Sequence, residues 1–271
     1  MLAGLALDCS SCRPRPQLEP VVFSEGEERQ IRKHSPLPAL PLSPTNLVAD
    51  DPAAAHFGQQ LFFDARLSSN SAVSCATCHD PAKQFSDGLA LSEGLGQTDR
   101  HSQSLWNVAY QRWMFWDGRA DSLWSQSIQP MLDPREMGAT PEHLRGVIAG
   151  DPELRSGYQG LFGEAENHSP DRFLANLGKS IEAYERKIIS SDSPFDRFVA
   201  ALPDGGGYLD EAARRGLRLF VGRGQCSLCH SGPNFSDGEF HNIGLSRDPD
   251  LPRDSGRFEG GRKVVLDRFN G

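Results

Sequence analysis

Two five-residue segments constrain this chain more than anything else in it. Cys75-x-x-Cys78-His79 and Cys226-x-x-Cys229-His230 share one spacing and lie 151 positions apart. C-x-x-C-H is the attachment signature of c-type haem: the two thiols add to the vinyl groups and the adjacent imidazole becomes the proximal ligand of the iron. The competing zinc reading needs paired knuckles that close one tetrahedral site. Here each pair carries its own His and its own flanking repeat, so the expectation is two covalently bound haem c groups, with His79 and His230 on the irons.

The flanks repeat as well. Gly58-x-x-Leu61-Phe62 precedes the first motif and Phe85-Ser86-Asp87-Gly88 follows it; Gly216-x-x-Leu219-Phe220 and Phe235-Ser236-Asp237-Gly238 stand in the same order around the second. Two copies of one haem-binding module explain this most economically. Between and around the copies the pattern is helical. Asp51-Pro52, Thr140-Pro141, Asp151-Pro152, Ser169-Pro170 and Ser193-Pro194 each put a capping side chain before a proline at the first helical position. Phe173, Leu177, Ile181, Tyr184 and Ile188 recur at helical spacing, and Asp210 is placed to cap a helix that stops at Gly222. No sustained alternation of strand type is present. The expected fold class is all-α, with two cytochrome c-like haem domains related by internal duplication.

Composition narrows the function classes. A formal charge of −8 argues against nucleic acid, which demands clustered Lys and Arg, and suits a basic soluble partner. No stretch approaches the roughly 18–20 apolar residues of a spanning helix. Met1–Leu7 is apolar but short and lacks a basic flank, so it makes a poor secretory leader. Cys9 and Cys12 follow at once; lipidation at Cys9 and a Cys9–Cys12 disulfide are both open, though Asp8 is the wrong residue before a lipidated cysteine. Residues 1–45, with SPLPALPLSP near their end, read as a leader remnant and Pro-rich linker. Because haem is attached outside the bacterial cytoplasm, a periplasmic location is expected.

All four tryptophans, Trp106, Trp113, Trp116 and Trp124, fall between the motifs. On residue type alone, Trp106, Trp113 and Trp124 read as aromatic core beneath a haem. The run Phe115-Trp116-Asp117-Gly118-Arg119-Ala120, then Gln126, Pro130 and Pro134-Arg135-Glu136-Met137-Gly138, resembles the bacterial di-haem cytochrome c peroxidases and their MauG-like relatives. So do the GQQLFFDARLS lead-in to the first motif, SPFDRF at 193–198 and FHNIG at 240–244. The likeness runs over roughly residues 50–245.

That resemblance implies a division of labour. The His79 haem would be peroxidatic, in a domain over 46–190, and the His230 haem would transfer electrons, in a domain over 191–271. Trp116 would couple the two haems, and Gln126, Pro130 and Glu136 would line the distal pocket. Hydrogen peroxide would be reduced to water with electrons from a small cytochrome c or cupredoxin; a MauG-like oxidase acting on a protein or organic substrate, or a plain di-haem electron carrier, are the alternatives. A homodimer is left open. The chemistry agrees with the first role for Glu136, since one raised-pKa carboxyl can take a proton from one peroxide oxygen and give it to the other.

The sequence also departs from the family. Residues 80–100 contain neither His nor Met, so a loop ligand that caps the first iron is not expected. His101 stands where the family has an Asn that helps bind calcium; imidazole is a poor ligand for a hard cation, which leaves calcium doubtful and makes His101 a stray candidate for the iron. The chain ends 41 residues after His230, before the family's sixth ligand to the second iron, and the second domain therefore reads as incomplete.

Overall fold

The structure, a computed structural model, describes residues 19–245, 248–251, 253–266 and 269. Cys9 and Cys12 lie outside that range. The described residues form helices and loops; the only β pairings among them are isolated bridges, such as Asp80 with Ser86 and Met114 with Ala120.

Every proline-marked helix start is realised. Pro52–Phe63 (α2) follows the Asp51 cap, and Pro141–Gly150 (α5), Pro152–Phe162 (α6), Pro170–Glu185 (α7) and Pro194–Ala200 (α8) follow Thr140, Asp151, Ser169 and Ser193. In each case the capping oxygen accepts a backbone N–H of the first turn, one of the four donors a helix start leaves free. Cys75–Cys78 (α3) is a single turn, and Leu123–Leu132 (α4) carries Pro130 inside it. Glu211–Val221 (α9) begins at Asp210 and ends at Gly222; Arg257–Leu266 (α10) is the last helix among the described residues.

One core gathers α2, α4, α5, α6 and α7. Phe57, Leu61 and Phe62 from α2 meet Ile128 from α4 and Leu177 and Ile181 from α7, all essentially removed from water. The α2–α7 crossing is so close that a Cβ on Gly58 would lie 1.8 Å from the Ser180 carbonyl oxygen. Only glycine fits there, which accounts for the Gly-x-x-Leu-Phe lead-in of the first copy. The crossing fixes α3, and with it the first haem motif, against the core through the partly buried Cys75 and Ala76.

A second, smaller core was not expected. Residues read as linker fold into a helix, Glu25–Ile31 (α1), followed by a 3₁₀ turn at Arg32–His34. Val21, Phe23 and Ile31 pack with Phe198, Val199 and Leu202, and Phe23 meets Phe198 edge to face at 5.9 Å. The signal was present in the sequence: Ser24 and Glu27 form a capping box in which each side chain satisfies the other's backbone N–H. The Pro-rich stretch that follows the turn drew the reading toward an extended chain. The segment 19–35 is thus a strap across the second half of the molecule.

Candidate functional site

A cavity of about 1010 Å³ opens beside the first motif, at the upper end of the ~300–1,000 Å³ usual for ligand sites. Cys75, Cys78 and His79 line it together with Trp116, Gln126, Pro130 and Glu136. All the residues that the sequence assigned to the first haem and its distal pocket therefore share one space.

Local structure explains how each is presented. His79 caps the C-terminus of α3, its N–H donating to the Cys75 carbonyl at 2.9 Å. The chain then turns through Phe85, at φ 55°, so that its carbonyl comes 3.1 Å from His79 Nδ1. That contact fixes the ring and leaves Nε2 as the nitrogen for a metal. Burial pulls the His79 pKa below the usual imidazole value, which favours the neutral, ligating form. Burial also pushes the Cys75 thiol up to about 12 and Cys78 up to about 11. Both thiols are thus held in the protonated form. A large cavity, a neutral oriented imidazole and two thiols suited to thioether formation together fit a c-type haem.

Gln126 and Pro130 are four residues apart on α4 and so face the same way. Glu136 sits on the turn after α4. Its amide donates to the Asp133 carbonyl at 3.0 Å, and the neighbouring Met137 amide donates to the Pro130 carbonyl at 3.1 Å. The loop after the first Phe-Ser-Asp-Gly closes over this turn: the amides of Leu95 and Gly96 donate to the carbonyls of Glu136 and Arg135 at 3.0 and 2.8 Å. A Cβ on Gly94 would lie within 2.8 Å of that same backbone. Burial and the nearby Asp133 hold the Glu136 carboxyl above the usual carboxylate range, against the opposing pull of Arg119 and Arg135. A carboxyl so placed can both take and give a proton at the cavity wall.

Trp116 lies on the cavity wall, half exposed, with its indole N–H donating to the His101 carbonyl at 2.8 Å. The His101 ring is itself held: Nδ1 lies 2.6 Å from the Leu89 carbonyl and Nε2 lies 3.4 Å from the Ser86 hydroxyl. Behind Trp116, Asp117 is buried. Burial would raise its pKa, but Arg100 at 2.7 Å and Arg119 at 3.1 Å more than reverse this and keep it charged. Of the two acids in the loop 89–100, Glu93 is not on the cavity wall, and Asp99, which is, pairs with Arg135 at 2.7 Å. Trp106, expected in the core, is 37% exposed instead; its indole N–H donates to Gln84 at 3.0 Å.

One cavity residue escaped the sequence. Glu185, in the last turn of α7, is 4% exposed, lines the cavity, and has one carboxylate oxygen with no hydrogen-bond partner. Burial, and then Glu182, push its pKa up to about 8. In the sequence it belongs to Glu182-x-x-Glu185-Arg186, which reads as a solvated charged face. Its position beside Tyr184 and Ile188 in the apolar register was the available hint.

The second motif repeats the local geometry. The His230 amide donates to the Cys226 carbonyl at 3.0 Å, and His230 Nδ1 lies 3.1 Å from the Phe235 carbonyl, with Phe235 at φ 51°. Here the thiols and imidazole are exposed, beside apolar surface from Leu228, Ile243 and Leu245 that has no cover among the described residues. The donor set and this bare apolar surface again fit a haem. His241 is held by Asp237 at 2.8 Å; with Cys229 they bring ligand atoms within 4.8 Å, but the motif assigns that thiol to haem. The two regions touch. Arg112 pairs with Glu239 at 2.7 Å, and the Arg257 guanidinium stacks between Trp113 and Phe240.

Comparison with known proteins places this geometry. Residues 52–202 match the family described as di-haem cytochrome c peroxidase. The methylamine utilization protein MauG of Methylorubrum extorquens is 36% identical over 209 residues, covering 76% of this chain and 57% of that protein. The cytochrome c551 peroxidase of Pseudomonas aeruginosa is 35% identical over 207 residues, covering 74% and 58%. The solved diheme peroxidase BthA of Burkholderia thailandensis superposes with a TM-score of 0.71 at 28% identity, covering 79% and 62%. The chain thus spans a little over half the length of these curated relatives. It belongs to the MauG-like di-haem cytochrome c peroxidase family.

Proposed function

We propose that this chain carries the catalytic part of a periplasmic di-haem peroxidase, which reduces hydrogen peroxide to water with electrons from a small redox protein such as a cytochrome c or cupredoxin. The carrying observation is Glu136: a carboxyl with a raised pKa on the wall of the cavity that also holds His79. When bound through Cys75 and Cys78, the haem supplies the iron at which peroxide is reduced. The protein's own residues bind, orient and move protons. His79 would hold that iron through Nε2, its Nδ1 being engaged by the Phe85 carbonyl. Glu136 takes a proton from one peroxide oxygen and returns it to the other, so that two added protons and two electrons give two waters. Gln126 offers the neighbouring amide that orients peroxide, and Pro130 keeps a backbone donor out of that wall.

The chain is further proposed to contain two copies of one haem module, over 46–190 and 191–271, with both haems covalent. The matching turns at Phe85 and Phe235 support this reading. Within it, Trp116 carries electrons between the copies, and the strap 19–35 belongs with the second. A MauG-like oxidase is the other reading, favoured by the absence of His and Met from 80–100. The experiment is peroxide consumption by the haem-loaded chain with reduced small cytochrome c as donor. Steady turnover supports the peroxidase; none with cytochrome c, together with peroxide-dependent oxidation of an organic donor, supports the oxidase.

A further inference from the structure

His34 lies 196 positions before His230 and touches it. The ring is 4% exposed. Nε2 sits 3.1 Å from the His230 carbonyl oxygen, and Nδ1 sits 3.0 Å from the Gln30 carbonyl oxygen. Both partners only accept, so the ring donates to one in either neutral tautomer and to both when protonated. Its faces and edges are equally engaged, with ring centroids 5.2 Å from Phe235 and 5.5 Å from Phe220. Phe235 supplies the carbonyl that orients the His230 imidazole, and Phe220 closes the Gly-x-x-Leu-Phe lead-in of the second copy. One side chain therefore grips both ends of the loop that aims His230, and touches the helix that precedes it.

The strap that delivers His34 is anchored on both sides. The Val21 amide donates to Glu211 at 2.9 Å, and Arg218 pairs with Glu27 at 3.0 Å. The Arg32 guanidinium donates to the Val199 and Leu202 carbonyls at 3.3 and 3.1 Å, and the Ser35 hydroxyl donates to Asp196 at 2.7 Å. A surface histidine does not receive this much support.

We propose that His34 is a positioning residue of the second haem site, a clamp from the N-terminal strap that fixes the backbone of His230 and the ring of Phe235 and so sets the orientation of the His230 imidazole. The inference rests on the reading that Cys226, Cys229 and His230 carry a haem. The first motif uses other residues for the same purpose. There the Ser102 hydroxyl, from the chain that follows the motif, donates to the Cys78 carbonyl at 2.7 Å, and Trp106 packs on Phe85 at 5.4 Å.

The test compares His34→Phe, which keeps the ring contacts and loses both polar ones, with His34→Gln, whose amide can donate to the His230 carbonyl. Both are made in the haem-loaded full chain. The amides of His230, Ser236 and Asp237 are followed by hydrogen exchange, and the midpoint potentials of the two haems by spectroelectrochemistry. In His34→Phe the three amides are expected to exchange about 10-fold faster, the worth of one buried hydrogen bond. The His230 haem potential shifts, while the amides of 75–88 and the His79 haem stay unchanged. His34→Gln restores most of both. Unchanged exchange and potential in His34→Phe, equal loosening of both loops, or no rescue by Gln would each overturn the proposal. Haem stoichiometry of the unsubstituted protein separates this from failure of the underlying reading, because a chain holding no haem at Cys226 defeats that reading at the outset.

Discussion

The two haem motifs are nearly the same object in different surroundings. In both, the His amide reaches back to the first Cys carbonyl and Nδ1 meets the following Phe carbonyl at 3.1 Å. In both, a Phe at positive φ and a Gly at φ 76° or 70° close the turn. Yet Gly58 in the first lead-in is pressed onto α7, whereas a Cβ on Gly216 in the second would meet nothing within 4 Å. The first motif faces a cavity with two raised-pKa carboxyls; the other borders exposed apolar surface. The lesson is that the repeated motif and its Phe-Ser-Asp-Gly turn aim the imidazole in the same way in both copies, while the chain around them decides whether it faces an enclosed cavity or open apolar surface.

The comparison breaks most visibly at the thiols. Cys75→Ala and Cys226→Ala should each lower the haem surviving acid-acetone extraction from two per chain to one; retention of both in either variant would refute attachment at that motif. Next in size is Glu136→Gln, which should cut peroxide turnover by about 10²–10⁴ with both haem spectra unchanged. In the unsubstituted protein kcat/KM should rise with pH through a limb above the ordinary carboxylate range, because the base form of a raised-pKa carboxyl appears only there. That limb should vanish in Glu136→Gln. Turnover within a few-fold of the parent would remove Glu136 from the mechanism.

Glu185 gives a third, smaller contrast, since the second motif has no counterpart among the described residues. Its folded-state pKa, about 8, lies above the ordinary 4.5, so its contribution to stability is complete below about pH 4.5 and is lost as pH rises toward 8. Glu185→Gln should flatten that decline, worth a few kcal/mol at most, measured as denaturant midpoints across the window. An unchanged slope would mean the carboxyl is not held neutral. Smallest is Trp116→Phe, which removes the N–H donated to His101 but keeps an aromatic ring. It should slow oxidation of the His230 haem more than reaction of peroxide at the His79 haem in stopped-flow traces; equal slowing would assign Trp116 to packing.

Much of this was legible in the chain. Cap-proline pairs marked the starts of five helices because the signal is local: the accepting side chain, the backbone N–H that donates to it and the proline all lie within one turn. The two haem motifs were legible for the same reason, whereas Glu136 was singled out by the resemblance that Pro134-Arg135-Glu136-Met137-Gly138 carries and not by any local signal. What escaped depends on contacts distant in sequence. Glu185 reads as a solvated charge until α7 is laid against α2 and α4, and His34 reads as part of a linker until the strap crosses the second motif. The exposure of Trp106 was missed because residue type says nothing about which side of a loop faces water.

On the proposed reading, the first motif would hold an iron that no His or Met of the following loop caps. The loop Leu89–Arg100 contains neither His nor Met, and the ring of His101 just beyond it is tied to Leu89 and Ser86. Electron paramagnetic resonance of the fully oxidised, haem-loaded protein tests this directly. The account predicts a high-spin signal from the His79 haem, together with reaction with peroxide before any reduction. A low-spin bis-His signal from that haem, lost in His101→Ala, would contradict it.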